Sequence, residues 1–476
     1  MRTNHWQSCL KAPSSGSTPP GHNPRRLAGW AALVLAAGLA CSGADSASWP
    51  MPPGIPMFPP GVRTADVKQG DMVLPCQVCR VSFSGTPPAN DAPASAVCVK
   101  FSPDGKFLAA ATAAGDVRLM DIYGNREVWK AARPAGTTQA LAFSPEGDRV
   151  FLAGMAPALT VACLDAGSGQ QRWTRAVETP EAATPAAGAT ARVLALAGGD
   201  ALAWTEGGAE TAGAGCVVRL AADGAVKWQC QGKAVGEAPI SAAALSLSSD
   251  ALFVLTGAAR TGKGETVQLR ANALCRLNLD SGAVGESLAI DASLLAPVAE
   301  QPAVVARVVI AEDGKAGALL TPGGKVLRLP LEDGGKWNIS PPVASGVGAM
   351  VRLPDGSLCL ASADALWAMG ADGNEIWSIR DGRRFRGLWA SRDGRWLITA
   401  VTQKVDGPRG TGMLLIAPGW EGEGTARIAY LYRVEGDVFP ASDMAGDGSA
   451  FAVIEIPRTD PGSGRTSGTF QVHVVR

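Results

Sequence analysis

Histidine is the scarcest functional residue in this chain: three occur among 476 residues, and His5 and His22 precede residue 25, leaving His473 alone in the remainder. A Ser-His-Asp triad, a Cys-His pair, a histidine-rich metal site and haem ligation through Cys-x-x-Cys-His all need a histidine beside other functional groups. His473 falls in an alternating strand, opposite Phe470, Val472 and Val474, and is expected at an exposed or edge position. Gly-x-Ser-x-Gly, P-loop and dinucleotide-binding glycine signatures are missing as well. So is net charge, because Lys+Arg and Asp+Glu both number 43. No global field draws the chain to nucleic acid or to an anionic membrane. Charged residues make up 18% against 46% hydrophobic, which excludes a disordered chain and allows a sizeable core. No catalytic residue, metal or cofactor is assigned on this basis.

What the sequence does contain is a repeat. After residue 95 one pattern returns about every 40 to 55 residues, a period that means a propeller or a solenoid. It opens with a hydrophobic run ending in a tight turn. These turns fall at Pro103-Asp-Gly105, Pro145-Glu-Gly147, Gly198-Gly-Asp200, Ser248-Ser-Asp250, Glu312-Asp-Gly314, Pro354-Asp-Gly356, Arg392-Asp-Gly394 and Gly446-Asp-Gly448, which makes eight repeats. Each turn leads into an apolar second strand such as Phe107 to Ala111, Leu252 to Leu255, Leu358 to Ala361 or Trp396 to Ala400. A third strand, a second turn and a tryptophan follow: Trp173, Trp228 and Trp377 stand four residues after Gly169, Gly224 and Gly373, and Trp129 and Trp337 are near-equivalent. A large ring on the outer strand can pack over the next blade.

The Phe-Ser-Pro-Asp-Gly and Phe-Ser-Pro-Glu-Gly turns resemble WD40 repeats, whereas Asp165 to Trp173, with its Asp-x-x-x-Gly-x-x-x-Trp spacing, resembles the docking motif of quinoprotein-type eight-bladed propellers. Together the two likenesses span about residues 96 to 476 and imply an all-β propeller of about eight four-stranded blades. WD40 domains often tie strands together with a buried histidine and aspartate, a device for which no histidine is expected here. The last repeat offers three strands, Val438 to Ser442, Ala450 to Ile456 and Thr469 to Val475, so one is missing. Met72 to Phe83 is predicted to return as the outermost strand of the eighth blade and close the ring, a place where Pro75 is tolerated.

The N-terminus predicts export. Arg25-Arg26 precede the apolar run Leu27 to Ala40, too short to span a bilayer but suited to a signal peptide over residues 1–44. Gly38-Leu-Ala-Cys41 resembles a bacterial lipobox, with Gly38 standing where leucine is usual; Cys41 is then the lipidated residue, and cleavage without lipidation is the alternative. Residues 45–66 form a proline-rich linker, read as an extended stalk or an unstructured leader, and residues 67–476 form the propeller domain.

Apart from Cys9 and Cys41, eight cysteines remain. Cys216 and Cys230 flank the turn Ala222-Asp-Gly224 and are expected opposite each other, forming a disulfide across a hairpin, in keeping with an oxidising compartment. Cys98, Cys163, Cys275 and Cys359 read as buried small hydrophobes. Cys76 and Cys79 form a Cys-x-x-Cys, but on a strand, away from the helix N-terminus or cationic cluster that makes a thiolate reactive, so they read as structural.

Turns on one rim are short, and the connections on the other are enlarged, at Glu178 to Thr190, Thr205 to Ala214, Gly257 to Arg270, Gln403 to Thr411 and Pro457 to Gly468. Insertions gathered on one face often mark a binding surface. On the same rim, Arg383, Arg384, Phe385 and Arg386 are read as part of a loop that could hold an anionic or carboxylate-bearing partner, or else as a solvated loop paired with local acids. These features predict a monomeric, exported, non-catalytic interaction scaffold with protein partners at a bacterial envelope, touching the membrane only through a lipid anchor. In outline it resembles the propeller lipoproteins of the outer-membrane barrel-assembly machinery. A quinoprotein-type dehydrogenase is the leading alternative, although no adjacent Cys-Cys pair is present, and a carbohydrate- or peptide-binding propeller using the central channel is a third.

Overall fold

Each repeat begins with a strand that runs into a turn held by its own side chains. In the first, Ser102 Oγ donates to Asp104 Oδ1 at 2.6 Å and accepts the Phe107 N–H at 2.9 Å, while Gly105 N–H returns to Ser102 O. Ser391, Asp393 and Trp396 repeat this arrangement in the seventh blade. The serine and aspartate thus replace backbone partners in the turn, which is why Ser-x-Asp-Gly recurs. In the fourth blade Asp250 supplies the left-handed conformation itself, with φ 47°.

The computed structural model describes residues 78–82 and, with interruptions in several connections, residues 98–476; the longer interruptions are 178–189, 207–214, 232–239, 257–271, 291–306 and 331–346. The signal peptide, Cys41, the proline-rich linker, Pro75, Cys76 and Trp337 lie outside the described residues.

The described strands form an all-β propeller of successive antiparallel sheets. The first blade is Cys98–Phe101, Phe107–Ala111, Val117–Asp121 and Arg126–Ala131, in that order from the innermost strand outwards. The second, third, fourth, sixth and seventh repeat this order of four, beginning at Thr138, Thr190, Ile240, Val347 and Arg383. The fifth has three described strands, Arg307–Ile310, Ala316–Leu320 and Val326–Pro330. Innermost strands of neighbouring blades touch, including those of the first and eighth, except between the third and fourth, where Ile240 of the innermost strand pairs in parallel with Glu206 of the third blade's second strand and joins the two sheets.

The eighth blade is built from both ends of the domain. Val78–Ser82 pairs antiparallel with Gln471–Val475, which pairs with Phe451–Ile456, so the N-terminal strand is outermost and closes the ring as its sequence predicted. The innermost strand differs from the expected Val438 to Ser442: it is two short pieces, Asp437–Val438 and Asp443–Met444, both paired with Phe451–Ile456. The break frees Asp443 to bind the first blade. Its carboxylate takes Lys100 Nζ at 2.7 Å and the Phe101 N–H at 2.9 Å, fastening the seam where the ring closes.

Because sheets stack face to face around the ring, both faces of a blade are core. Leu108, Ala110 and Met120 pack with Ala452, Ile454, Val472 and Val474 across the seam. On the other face of the first blade, Ala109, Leu119 and Trp129 pack with Leu141, Val150 and Leu152 of the second.

Candidate functional site

Charged side chains on an innermost strand have few places to go. One edge of the strand is covered by its own blade and its faces by neighbouring blades, so an exposed residue there opens on the central channel or its mouths. Apart from Gly348 of the sixth blade, the exposed positions are basic and fall in alternate blades: Lys100 in the first, Arg192 in the third, Arg307 in the fifth, Arg384 and Arg386 in the seventh. Lys100 is paired with Asp443, and Arg192 with Glu206 at 2.7 Å. No carboxylate among the described residues forms an ion pair with Arg307, Arg384 or Arg386.

The stretch around Arg384 corrects the expectation of a loop. Arg383–Ala390 is a strand whose burial alternates, so Arg383 and Phe385 are buried, and only Arg384 and Arg386 of the four are exposed. Phe385 packs with Leu388, Leu397 and Val401 in the core between the sixth and seventh blades, which anchors the strand that carries the two exposed arginines. Immediately after Arg386 the pairing slips at a β-bulge. Gly387 occupies it with φ 68°, Thr399 Oγ1 donates to its carbonyl at 2.8 Å, and an added Cβ would lie 2.5 Å from the Trp389 ring. Such bulges re-aim neighbouring side chains.

His473 is the second correction. It is buried, 2% exposed, within a hydrogen-bonded chain: its Nε2 lies 2.8 Å from Glu455 Oε2, and its Nδ1 lies 2.8 Å from Tyr432 Oη. The other Glu455 oxygen accepts the Gly436 N–H at 2.6 Å. Tyr432 belongs to the seventh blade, Glu455 and His473 to the eighth, so the chain of bonds ties the two together. It has no opening to solvent for a substrate, and its role is to satisfy buried polar groups at the interface. A histidine therefore does fasten strands here, with a glutamate in place of the aspartate.

The outer rim is joined by the tryptophans. Trp129 Nε1 donates to Ala166 O, Trp173 Nε1 to Ala222 O and Trp228 Nε1 to Leu279 O, at 2.8, 2.9 and 2.7 Å, each reaching the next blade. Arginine reinforces two of these carbonyls: Arg149 also donates to Ala222 O and Arg219 to Leu279 O. Each ring lies on a turn glycine of that next blade, Gly169, Gly224 or Gly282, where an added Cβ would come within 2.8 Å of the indole. Just before Trp129, Trp173, Trp228 and Trp377 one residue is bulged, Val128, Arg172, Lys227 and Ile376, since the register skips it.

That bulge also overturns the expected disulfide. With Lys227 unpaired, Cys230 faces Val217 and Cys216 faces Gln231, and a one-residue slip sends the two thiols to opposite faces. Neither is in a disulfide, nor are Cys98, Cys163, Cys275 and Cys359. Burial pushes the Cys163 thiol up to about 11 and the Cys216 thiol up to about 12, which leaves no reactive thiolate at either. Cys79 pairs through its backbone with Val474. Among the described residues no group of three or more His, Cys, Asp and Glu could hold a metal ion. The enlarged connections of the rim lie largely outside the described residues, apart from the short hairpin Arg458–Thr459 with Thr466–Ser467.

The sequence model of a PQQ-like repeat family described as outer membrane protein assembly factor BamB matches residues 113–386, more than half of the 476-residue chain. Among solved structures, BamB from Moraxella catarrhalis is similar at 13% identity and a TM-score of 0.46, covering 83% of this chain and 99% of that one. The Cps50 (Swd1) β-propeller domain from Myceliophteria thermophila is similar at 11% identity and a TM-score of 0.46, covering 83% and 98%. No curated protein sequence matches.

Proposed function

This chain belongs to the PQQ-like repeat family described as outer membrane protein assembly factor BamB, and from that premise we propose that it is an exported, non-catalytic scaffold that holds other proteins together at a bacterial envelope. The family match is the observation that carries the proposal, since an assembly factor works through contacts with other proteins. The export signal of residues 25–40 and the lipobox-like Gly38 to Cys41 agree with that location. Arg384 and Arg386, exposed and without an ion-pair partner among the described residues, agree with a binding rather than a structural use of the inner wall.

A quinoprotein-type dehydrogenase shares the tryptophan docking. Its quinone fits these residues poorly: no two cysteines are adjacent in sequence, and Cys216 and Cys230, the pair described within one blade, turn their thiols to opposite faces. Affinity capture of the tagged full-length protein from envelope membranes of its native host, with mass spectrometry of partners and of the mature N-terminus, tests the proposal. Stoichiometric envelope partners and a diacylglyceryl Cys41 are expected. An unlipidated protein that captures nothing refutes it.

A further inference from the structure

Four of the five exposed basic residues share one end of the channel; Lys100, third of four in its strand, lies towards the tight turns and is paired with Asp443. All innermost strands run the same way and finish at the tight turns. Arg192 is third of six residues in its strand, Arg307 first of four, and Arg384 and Arg386 second and fourth of eight. All four therefore lie in the first half of their strands, towards the mouth away from the tight turns. That is the rim on which the sequence gathers its long connections.

The electrostatics there are unbalanced. Arg307 is open to water, yet desolvation first, and then the positive charge of Arg192, hold its guanidinium below the ordinary arginine range, with Glu206 opposing. Arg307 and Arg192 belong to the fifth and third blades, two apart in the ring. Glu206 is paired with Arg192 and acts on Arg307 only from a distance, and no described carboxylate forms an ion pair with Arg307, Arg384 or Arg386. An anion entering this mouth would relieve repulsion, and the low-dielectric walls would focus the field on it.

The spacing selects the anion. Arg384 and Arg386 stand two residues apart on one face of a strand, about 6.7 Å along its axis. Alternate residues of an extended peptide repeat at the same distance, so two carboxylates at positions i and i+2 match them in register. The guanidinium fork also favours carboxylate geometry. The zero net charge of the chain offers no long-range attraction for a nucleic acid backbone. Phe385 and the Gly387 bulge fix the strand before anything binds, which lowers the ordering cost of association.

We propose that this mouth of the channel, formed by Arg192, Arg307, Arg384 and Arg386, binds an extended acidic segment of a partner protein with carboxylates on alternate residues. The proposal deepens the scaffold function and rests on it for the partner being a protein.

Fluorescence anisotropy with the full-length protein and a fluorescein-labelled alternating Glu-Ser peptide tests it, with an alternating Lys-Ser peptide and an oligo-dT strand as competitors. The acidic peptide should bind, weaken with added salt, and lose about tenfold in affinity in Arg384→Ala/Arg386→Ala and again in Arg307→Ala. Arg126→Ala/Arg395→Ala, exposed at the start of an outermost strand and on a tight turn, should leave it unchanged. No binding at low salt, equal binding by the channel variants, or tighter binding of oligo-dT overturns the assignment. Capture of envelope partners separates the two levels. Partners held equally by wild type and the channel variants leave the scaffold standing and remove the channel site; no partner on wild type removes the scaffold, while the peptide titration still decides the channel.

Discussion

Replacing one turn glycine under a tryptophan should cost far more than replacing one in the open. Gly282 has φ 68°, and a Cβ there would stand 2.5 Å from Trp228 Cδ2. Gly198 has a similar φ of 77°, with nothing within 4 Å of its added Cβ. Gly198→Ala therefore carries only the penalty of a left-handed conformation, about 1 kcal/mol. Gly282→Ala carries that and must also displace the indole. It loses the Trp228 Nε1 bond to Leu279 O, about 1 kcal/mol, and part of the ring's packing on the fourth blade, for a total of about 3 kcal/mol. Urea unfolding followed by tryptophan fluorescence and far-UV circular dichroism gives the two values. In the Trp228→Ala background, Gly282→Ala should fall back to about the Gly198→Ala cost of 1 kcal/mol, because the atom it collides with is gone. Equal costs for the two glycine variants in the wild-type background would refute the docking account.

Removing the buried histidine should destabilise through the groups it leaves behind. His473→Gln is expected to cost about 3 kcal/mol and Tyr432→Phe about 1 kcal/mol in the same assay; a His473→Gln variant as stable as wild type would show that Glu455 needs no such partner. Asp165 is held at about 2, against an ordinary 3.8, by the Arg172 guanidinium first and then by Ser168. A depressed carboxylate stabilises the fold above its unfolded value and loses that contribution as pH falls through its folded value. The stability gap between wild type and Asp165→Asn should therefore be flat at neutral pH and close between about pH 4 and pH 2. Because this side chain is about a third exposed, the gap should not exceed about 1 kcal/mol. Non-reducing peptide mapping should find Cys216 and Cys230 in separate, unlinked peptides, and a peptide linking them would contradict the register of their strands. Asp443→Ala should cost about 1 to 3 kcal/mol by stranding the Phe101 N–H at the seam, read as a lower urea midpoint and faster proteolysis of the terminal strands.

The fold was legible because its signals are local and repeated. Ser-x-Asp-Gly turns, apolar second strands and Asp165 to Trp173 each specify a short piece of backbone, and the missing strand of the eighth blade pointed to Val78–Ser82. The errors share a physical origin in how sheets pack. His473 alternates with Val472 and Val474, which in a one-sided sheet would place it in solvent; in a stacked ring the opposite face is core too, so alternation reports which neighbour a residue meets and not whether it is buried. The Cys216 and Cys230 pairing failed on a single bulged residue, Lys227. That bulge recurs before each docking tryptophan and aims the ring at the next blade, so it could have been found by aligning the repeats. Arg383 to Arg386 read as a loop because of charge density, although the alternation of Arg384 and Arg386 with Phe385 has the period of a strand; Leu388, three residues beyond Phe385, reaches the buried side only through the bulge at Gly387, which the sequence does not announce. The convergence of Arg192, Arg307, Arg384 and Arg386 on one mouth depends on strand polarity around the whole ring, which no single repeat contains.

The size of the particle in which the endogenous protein travels, measured after gentle detergent extraction of the native envelope and checked by partner identification, tests the scaffold claim most directly. The account predicts a complex larger than the chain alone, with a fixed ratio of one or a few envelope proteins. A protein that runs as a bare monomer and gains dye-reducing activity on addition of quinone and calcium would contradict it.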